Sequence, residues 1–164
     1  MSQSERHAPG HALVVGGGTM GVGIIAMFLG GGWKVDVVSR SASTRDGLPE
    51  ACTRALVALG KPADTSGLKT YATLPEASWK TIDIVVETVT EDLELKRKLF
   101  AEIETLARCE GFSTLVLETG DRHPAAWRVY ERAGFSRCGP VLDYPDSQWS
   151  VFYQKRLDAE DKAA

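Results

Sequence analysis

Residues 14–40 read VVGGGTMGVGIIAMFLGGGWKVDVVSR, a glycine cluster set between two apolar segments. His11 to Gly16 is a short β-branched run ending in glycine, which predicts a buried strand, and the nearly all-round apolar Met20 to Leu29 predicts a buried helix. Gly30 to Gly32 then stop the helix, because glycine enters left-handed backbone conformations at little cost, and WKVDVV opens a second strand. Gly16, Gly18 and Gly21 form GxGxxG between that strand and that helix. The pattern permits a tight turn, close backbone approach to a pyrophosphate and close helix packing, while the helix start offers free N–H groups and the positive end of its dipole. The competing reading is a merely glycine-rich turn.

Working outward, the order of elements continues βαβαβ, which predicts an α/β fold: a Rossmann-like three-layer sandwich, mostly parallel, with an antiparallel hairpin at its C-terminal end. A second helix is expected over DGLPEACTRALVALG, with Pro49 in its first turn and Gly60 past its end, burying Leu48, Ala51, Ala55, Leu56 and Leu59. LKTYATL is a possible minor strand and TIDIVVET a central one. Helical spacing of Leu95, Leu99, Phe100, Ile103, Leu106 and Ala107 marks a third helix over residues 91–109, with Glu94 and Lys98 one turn apart. STLVLETG is another strand, and HPAAWRVYERAG a helix closed by Gly134 and Phe135. SRCGPVLDY and WSVFYQKRL form the hairpin. The expected sheet is single: strands near His11, Lys34, Ile82 and Thr114 parallel, the Trp149 strand antiparallel beside Thr114, the Ser136 strand at the edge. Residues 1–10 read as a disordered lead-in, 11–157 as one hybrid domain and 158–164 as a tail.

The 164 residues suit one domain with a sizeable core, and 43% hydrophobic with 25% charged residues is an ordinary globular balance. A formal net charge of −3 gives no general attraction for nucleic acid or an anionic membrane. The N-terminus has no apolar run of signal-peptide type, and no stretch approaches the roughly 20 apolar residues of a membrane span. The three cysteines, Cys52, Cys109 and Cys138, are odd in number and lack CxxC spacing, which argues against a disulfide framework or a zinc site and for a cytoplasmic protein. The expected partner is a small-molecule nucleotide, without metal, nucleic acid or membrane; oligomeric state is left open.

Together with IDIVVETVTEDLELKRKLFAEIE (residues 82–104), the opening stretch resembles the N-terminal half of the 3-hydroxyacyl-CoA dehydrogenase family, over residues 11–107. The resemblance implies a nicotinamide dinucleotide on Gly16, Gly18, Met20 and Gly21, with Glu91 and Lys96 beside the nicotinamide and substrate end. A solvated helix start and an ion pair are the alternatives for Glu91 and Lys96. Where that family usually carries an acidic residue to hold the ribose hydroxyls, this chain has Ser39, Arg40 and Ser41. Donors there suit the 2′-phosphate of NADP better than NAD; an exposed Arg40 in a turn is the alternative.

Residues 108–157, through LVLETG, AAWRVYERAGF and VFYQKRL, instead resemble the C-terminal part of a GNAT-type N-acetyltransferase. That resemblance implies Tyr130 as the group that protonates a departing CoA thiolate; packing into the core is its alternative. Each half lacks parts its parent would need. None of His7, His11 and His123 stands in the downstream stretch that carries the dehydrogenase's catalytic histidine, and the acetyltransferase loop that cradles the CoA pyrophosphate is missing. The expected protein is chimera-like, joined within the 91–109 helix, and binds NADP or NAD without complete catalytic machinery. An acyl-CoA-dependent N-acetyltransferase using Tyr130 and CoA, and a folded hybrid with no ligand, are the alternatives.

Overall fold

A computed structural model describes residues 9–89, 92–121, 124–140 and 149–157. The chain divides into two compact units, residues 1–90 and 91–164.

In the first unit, β1 (His11–Val15), α1 (Thr19–Gly30), β2 (Lys34–Val38), α2 (Ala42–Ala58), β3 (Leu68–Tyr71) and β4 (Ile84–Glu87) follow one another, with 3-10 turns at Leu74–Glu76 and Trp79–Thr81. The four strands are all parallel in the order β3-β2-β1-β4. Strand alternation sends Val14, Val35 and Val37 to one face, where they pack with Ile25, Ala26 and Leu29 of α1 and Leu48, Cys52 and Leu56 of α2. Burial pushes the Cys52 thiol pKa up. On the opposite face, in register with Leu13, lies the buried carboxylate of Asp36. It accepts the Ser78 N–H at 2.9 Å, and its other oxygen lies 3.0 Å from Nε2 of the buried His11, though not in line for a hydrogen bond. His11 Nδ1 pairs with the Thr81 hydroxyl at 2.9 Å. These polar groups fasten the 78–81 turn to the beginning of β1 and the middle of β2.

Helix α2 starts earlier than the sequence suggests. Ser41 caps it by accepting the Thr44 N–H, so Pro49 lies inside the helix, where its missing N–H leaves the Arg45 carbonyl without its α-helical donor. Leu48, Cys52 and Leu56 form its buried face, and Leu59, expected to be buried, is half-exposed. Gly47 is exposed, and an added Cβ there meets nothing within 4 Å. Gly47→Ala should therefore stabilise the first unit by about 1 kcal/mol. Thermal melting checks this: a rise of about 4 °C is expected, and a fall would show that the backbone at 47 resists the helix.

The second unit contains α3 (Leu93–Cys109), β5 (Thr114–Gly120), α4 (Pro124–Arg132), β6 (Ser136–Cys138) and β7 (Ser150–Arg156). Its sheet is antiparallel, in the order β5-β7-β6. The central and edge positions of the last two strands are those expected. The single continuous sheet is not found: among the described residues β5 pairs with β7 rather than joining the parallel set, and there are two sheets. A β-α-β stretch permits a parallel pairing without enforcing it; here, among the described residues, β5 pairs on one side only, with β7, along the whole length from Thr114 to Gly120.

Helix α4 ends as its sequence predicts, with Gly134 at φ +87 and the Phe135 N–H bonded to the Tyr130 carbonyl at 3.0 Å. The core around Phe135, Val151 and Tyr153 is tied to α3 by an ion pair. Lys155 Nζ lies 2.7 Å from each oxygen of the buried Glu104 and 2.6 Å from the Ala133 carbonyl. Burial, then the neighbouring Glu131 carboxylate, raises the pKa of Tyr153. On the surface of α3, Glu94 pairs with Arg97 at 3.4 Å rather than with the expected Lys98.

Candidate functional site

The strand order places β1 between β2 and β4, so the chain leaves β1 toward one side of the sheet and returns to pair on the other. The carboxyl end of β1 is thus a topological switch point, where open α/β sheets form a crevice. The glycine loop begins there. The Gly16 N–H bonds the Val38 carbonyl of β2 at 2.9 Å, and the Thr88 N–H just past β4 bonds the Val15 carbonyl at 2.9 Å. The Thr88 hydroxyl reaches both the Val15 and Gly16 carbonyls, at 3.1 and 3.2 Å.

The three glycines answer three different demands. Gly16 has φ +111, and an added Cβ would stand 2.5 Å from the Thr88 hydroxyl oxygen. At Gly21 it would stand 2.5 Å from the Gly16 carbonyl oxygen, so only glycine lets α1 lie this close to the loop. Gly18 is the N-cap of α1, exposed and extended, and its Cβ would meet nothing within 4 Å. The protein itself does not require glycine there; the missing side chain leaves open space before the first-turn N–H groups. That is the shape a pyrophosphate requires. Met20, in the first turn, is 71% exposed.

At the end of β2, Ser39 is half-buried and Arg40 exposed. The Ser39 N–H bonds the Tyr71 carbonyl at 3.0 Å. Ser41 is occupied in capping α2 and lies 3.0 Å from the Ser43 hydroxyl. Arg45, from the first turns of α2, donates through Nη1 to the Ser39 carbonyl. The loop residues Gly16, Gly18, Met20 and Gly21 therefore share one end of the parallel sheet with Ser39 and Arg40. Two residues of this arrangement, Thr88 and Arg45, carry no motif of their own and become visible only through the strand register and the true start of α2.

Glu91 lies outside the described residues, as does His123. Asp92 caps α3 by accepting the Glu94 and Leu95 N–H groups at 2.9 and 3.1 Å. Lys96, 8% exposed, belongs to the second unit. With Leu93, Ala125, Ala126, Val129 and Tyr130 it lines a cavity of about 240 Å³. The Tyr130 ring also packs among Phe100, Tyr153 and Phe135, with centroids 5.5, 5.9 and 6.5 Å away. Among the described residues no group of three His, Cys, Asp or Glu could hold a metal ion, and no helix is long and apolar enough to cross a membrane.

Comparison with known proteins separates the two parts. The chain is 31% identical over 108 residues to a probable 3-hydroxyacyl-CoA dehydrogenase of Caenorhabditis elegans, covering 58% of this chain and 35% of that protein. It is 36% identical over 64 residues to an IAA acetyltransferase of Azospirillum brasilense, covering 39% and 42%. Among solved structures, (S)-3-hydroxybutyryl-CoA dehydrogenase PaaH1 of Ralstonia eutropha superposes with a TM-score of 0.52 at 25% identity, over 60% of this chain and 37% of that one. The chain thus spans less than half the length of each of these proteins. Residues 11–112 match the family described as 3-hydroxyacyl-CoA dehydrogenase, NAD binding domain; taken with the glycine loop at the switch point, this shows that the chain belongs to that family and carries an acetyltransferase-like part beside it.

Proposed function

We propose that the chain binds a nicotinamide dinucleotide across residues 16–21, prefers NADPH to NADH, and does not by itself oxidise 3-hydroxyacyl-CoA. The open space at Gly18 carries the reading, since a fold that needs no glycine there has one where a Cβ would meet a pyrophosphate. Bound there, the dinucleotide would supply hydride chemistry through its nicotinamide ring. The residues of this chain would hold it: first-turn N–H groups of α1 on the pyrophosphate, Ser39 and Arg40 on the adenosine ribose.

The preference follows from charge. β2 is followed by Ser39 and Arg40, with no carboxylate adjacent to them in sequence, so a 2′-phosphate meets a cation at this point of the chain. A hydrogen bond to a charged group contributes roughly 1.5 to 3 kcal/mol, or about 10- to 100-fold in affinity, less where solvent screens an exposed side chain such as Arg40. The one histidine among the described residues, His11, is not placed to act as the base of hydride transfer. It sits buried at the opposite end of β1 from the glycine loop, about 16 Å away at the strand rise, and general bases act within hydrogen-bond reach.

Calorimetric titration of the whole chain with NADPH, NADH and acetyl-CoA tests the reading. NADPH should bind more tightly than NADH, and Arg40→Asp should erase or reverse the order. The cavity that Tyr130 shares with Lys96 favours a second reading, acyl-CoA-dependent acetyl transfer. Acetyl-CoA binding with turnover lost on Tyr130→Phe would establish it in place of the first.

A further inference from the structure

We infer that Arg45 is a second anchor for the ribose 2′-phosphate, working with Arg40 to set which dinucleotide the chain selects; this rests on the dinucleotide reading of the glycine loop. Because α2 begins at Ala42 directly after the Ser41 cap, its first turns stand at the carboxyl end of β2. That is the end to which Gly16 is tied through Val38. Long side chains on a helix lean toward its N-terminus. Arg45 does so: its half-buried guanidinium turns back to donate to the Ser39 carbonyl, beside the residue at which selection between the two cofactors is made.

The hydrogen bond to Ser39 uses one of the five donors of a guanidinium and leaves four in a fixed plane, a geometry matched to phosphate oxygens. It also holds the side chain in place before any ligand arrives, which lowers the ordering cost of binding. The exposed Arg40 has no such restraint in its favour. Glu76, whose carboxyl feels the charge of Arg45, is the competing anion. Its Oε2 is engaged by the Ala72 and Thr73 N–H groups at 2.9 and 3.1 Å; these two bonds are the larger causes that hold its pKa down. Asp46 and Glu50 of α2 are exposed, and Glu50 pairs with Arg54. A dianionic phosphate with three free oxygens outbids a single carboxylate already bonded to its own backbone.

The test uses the adenosine halves of the two cofactors, 2′,5′-ADP and 5′-AMP, titrated into the full chain and into Arg45→Met, Arg45→Lys and Arg40→Met variants. Arg45→Met should weaken 2′,5′-ADP about tenfold or more while leaving 5′-AMP nearly unchanged, and Arg45→Lys should fall between, keeping the charge but not the planar fork. The 5′-AMP titration doubles as a check that each variant is folded. If Arg40→Met weakens 2′,5′-ADP and Arg45→Met does not, the inference is overturned and the dinucleotide reading stands. Equal loss of both nucleotides in Arg45→Met would assign the residue to structure alone and overturn it too. Failure of the native chain to bind either nucleotide or NADPH overturns both.

Discussion

Glu104→Leu should lower the unfolding midpoint of the second unit by about 10 °C or more. The Glu104 and Lys155 side chains are 11% and 20% exposed, and Nζ stands 2.7 Å from both carboxylate oxygens, so removing the acid strands an ammonium in a largely dry place. Breaking a buried pair costs about 3 kcal/mol or more, and a unit of this size loses several degrees per kcal/mol. Replacing both residues, Glu104→Leu with Lys155→Met, should recover most of the loss, because two apolar side chains of similar volume leave nothing charged unpaired. Calorimetric melting of the single and double variants checks the cycle. An unchanged midpoint in Glu104→Leu would mean that the ammonium finds water, and that the pair does not hold α3 to β7.

The pair also bears on how the two parts are joined. The family match runs through residue 112, so α3 belongs by sequence to the dehydrogenase-like part. By packing it belongs to the second unit, which begins at Glu91. Its Glu104 bonds Lys155, and its Phe100 meets Tyr130 edge-on at 5.5 Å. The helix is therefore shared property: its residues match the dehydrogenase family, while its packing partners lie in the second unit.

How far the sequence could be read follows from the range of the interactions involved. Strand β1, the glycine turn, α1 and β2 were legible because periodicity and turn chemistry are local, and the close of α4 at Gly134 for the same reason. The start of α2 is not legible because Asp46, Gly47 and Pro49 imitate a helix beginning, while the true signal is the smaller one of Ser41 accepting the Thr44 N–H. That shift hid Arg45. Thr88 was invisible because its role depends on parallel register between β1 and β4, 73 residues apart along the chain. The division into two sheets is likewise not local, since whether the second edge of β5 meets a parallel neighbour depends on contacts distant along the chain and not on its own residues. The buried Asp36, inside a run that reads as pure strand, gave no sign that it would hold the Ser78 N–H 42 residues later.

Gly18→Val should abolish most dinucleotide binding while leaving the fold nearly intact, and that separation makes it the most direct test of the account. Gly18 has φ −73 and ψ −173, backbone values open to any residue, and its Cβ direction is empty. Valine there costs the helix cap no more than about 1 kcal/mol. Its methyl groups would instead fill the space before the α1 N–H groups and displace the pyrophosphate. The contrasting Gly21→Ala puts a methyl 2.5 Å from the Gly16 carbonyl oxygen and should harm the fold as well. The decisive measurement is calorimetric titration of NADPH and NADH into the native chain and Gly18→Val, with melting recorded on both. The account predicts saturable binding by the native chain, affinity for both cofactors lowered at least about tenfold in the variant, and melting midpoints within a few degrees of each other. If the native chain binds neither cofactor at about 1 mM, or Gly18→Val binds both unchanged, the glycine loop is a structural turn and the dinucleotide account is wrong.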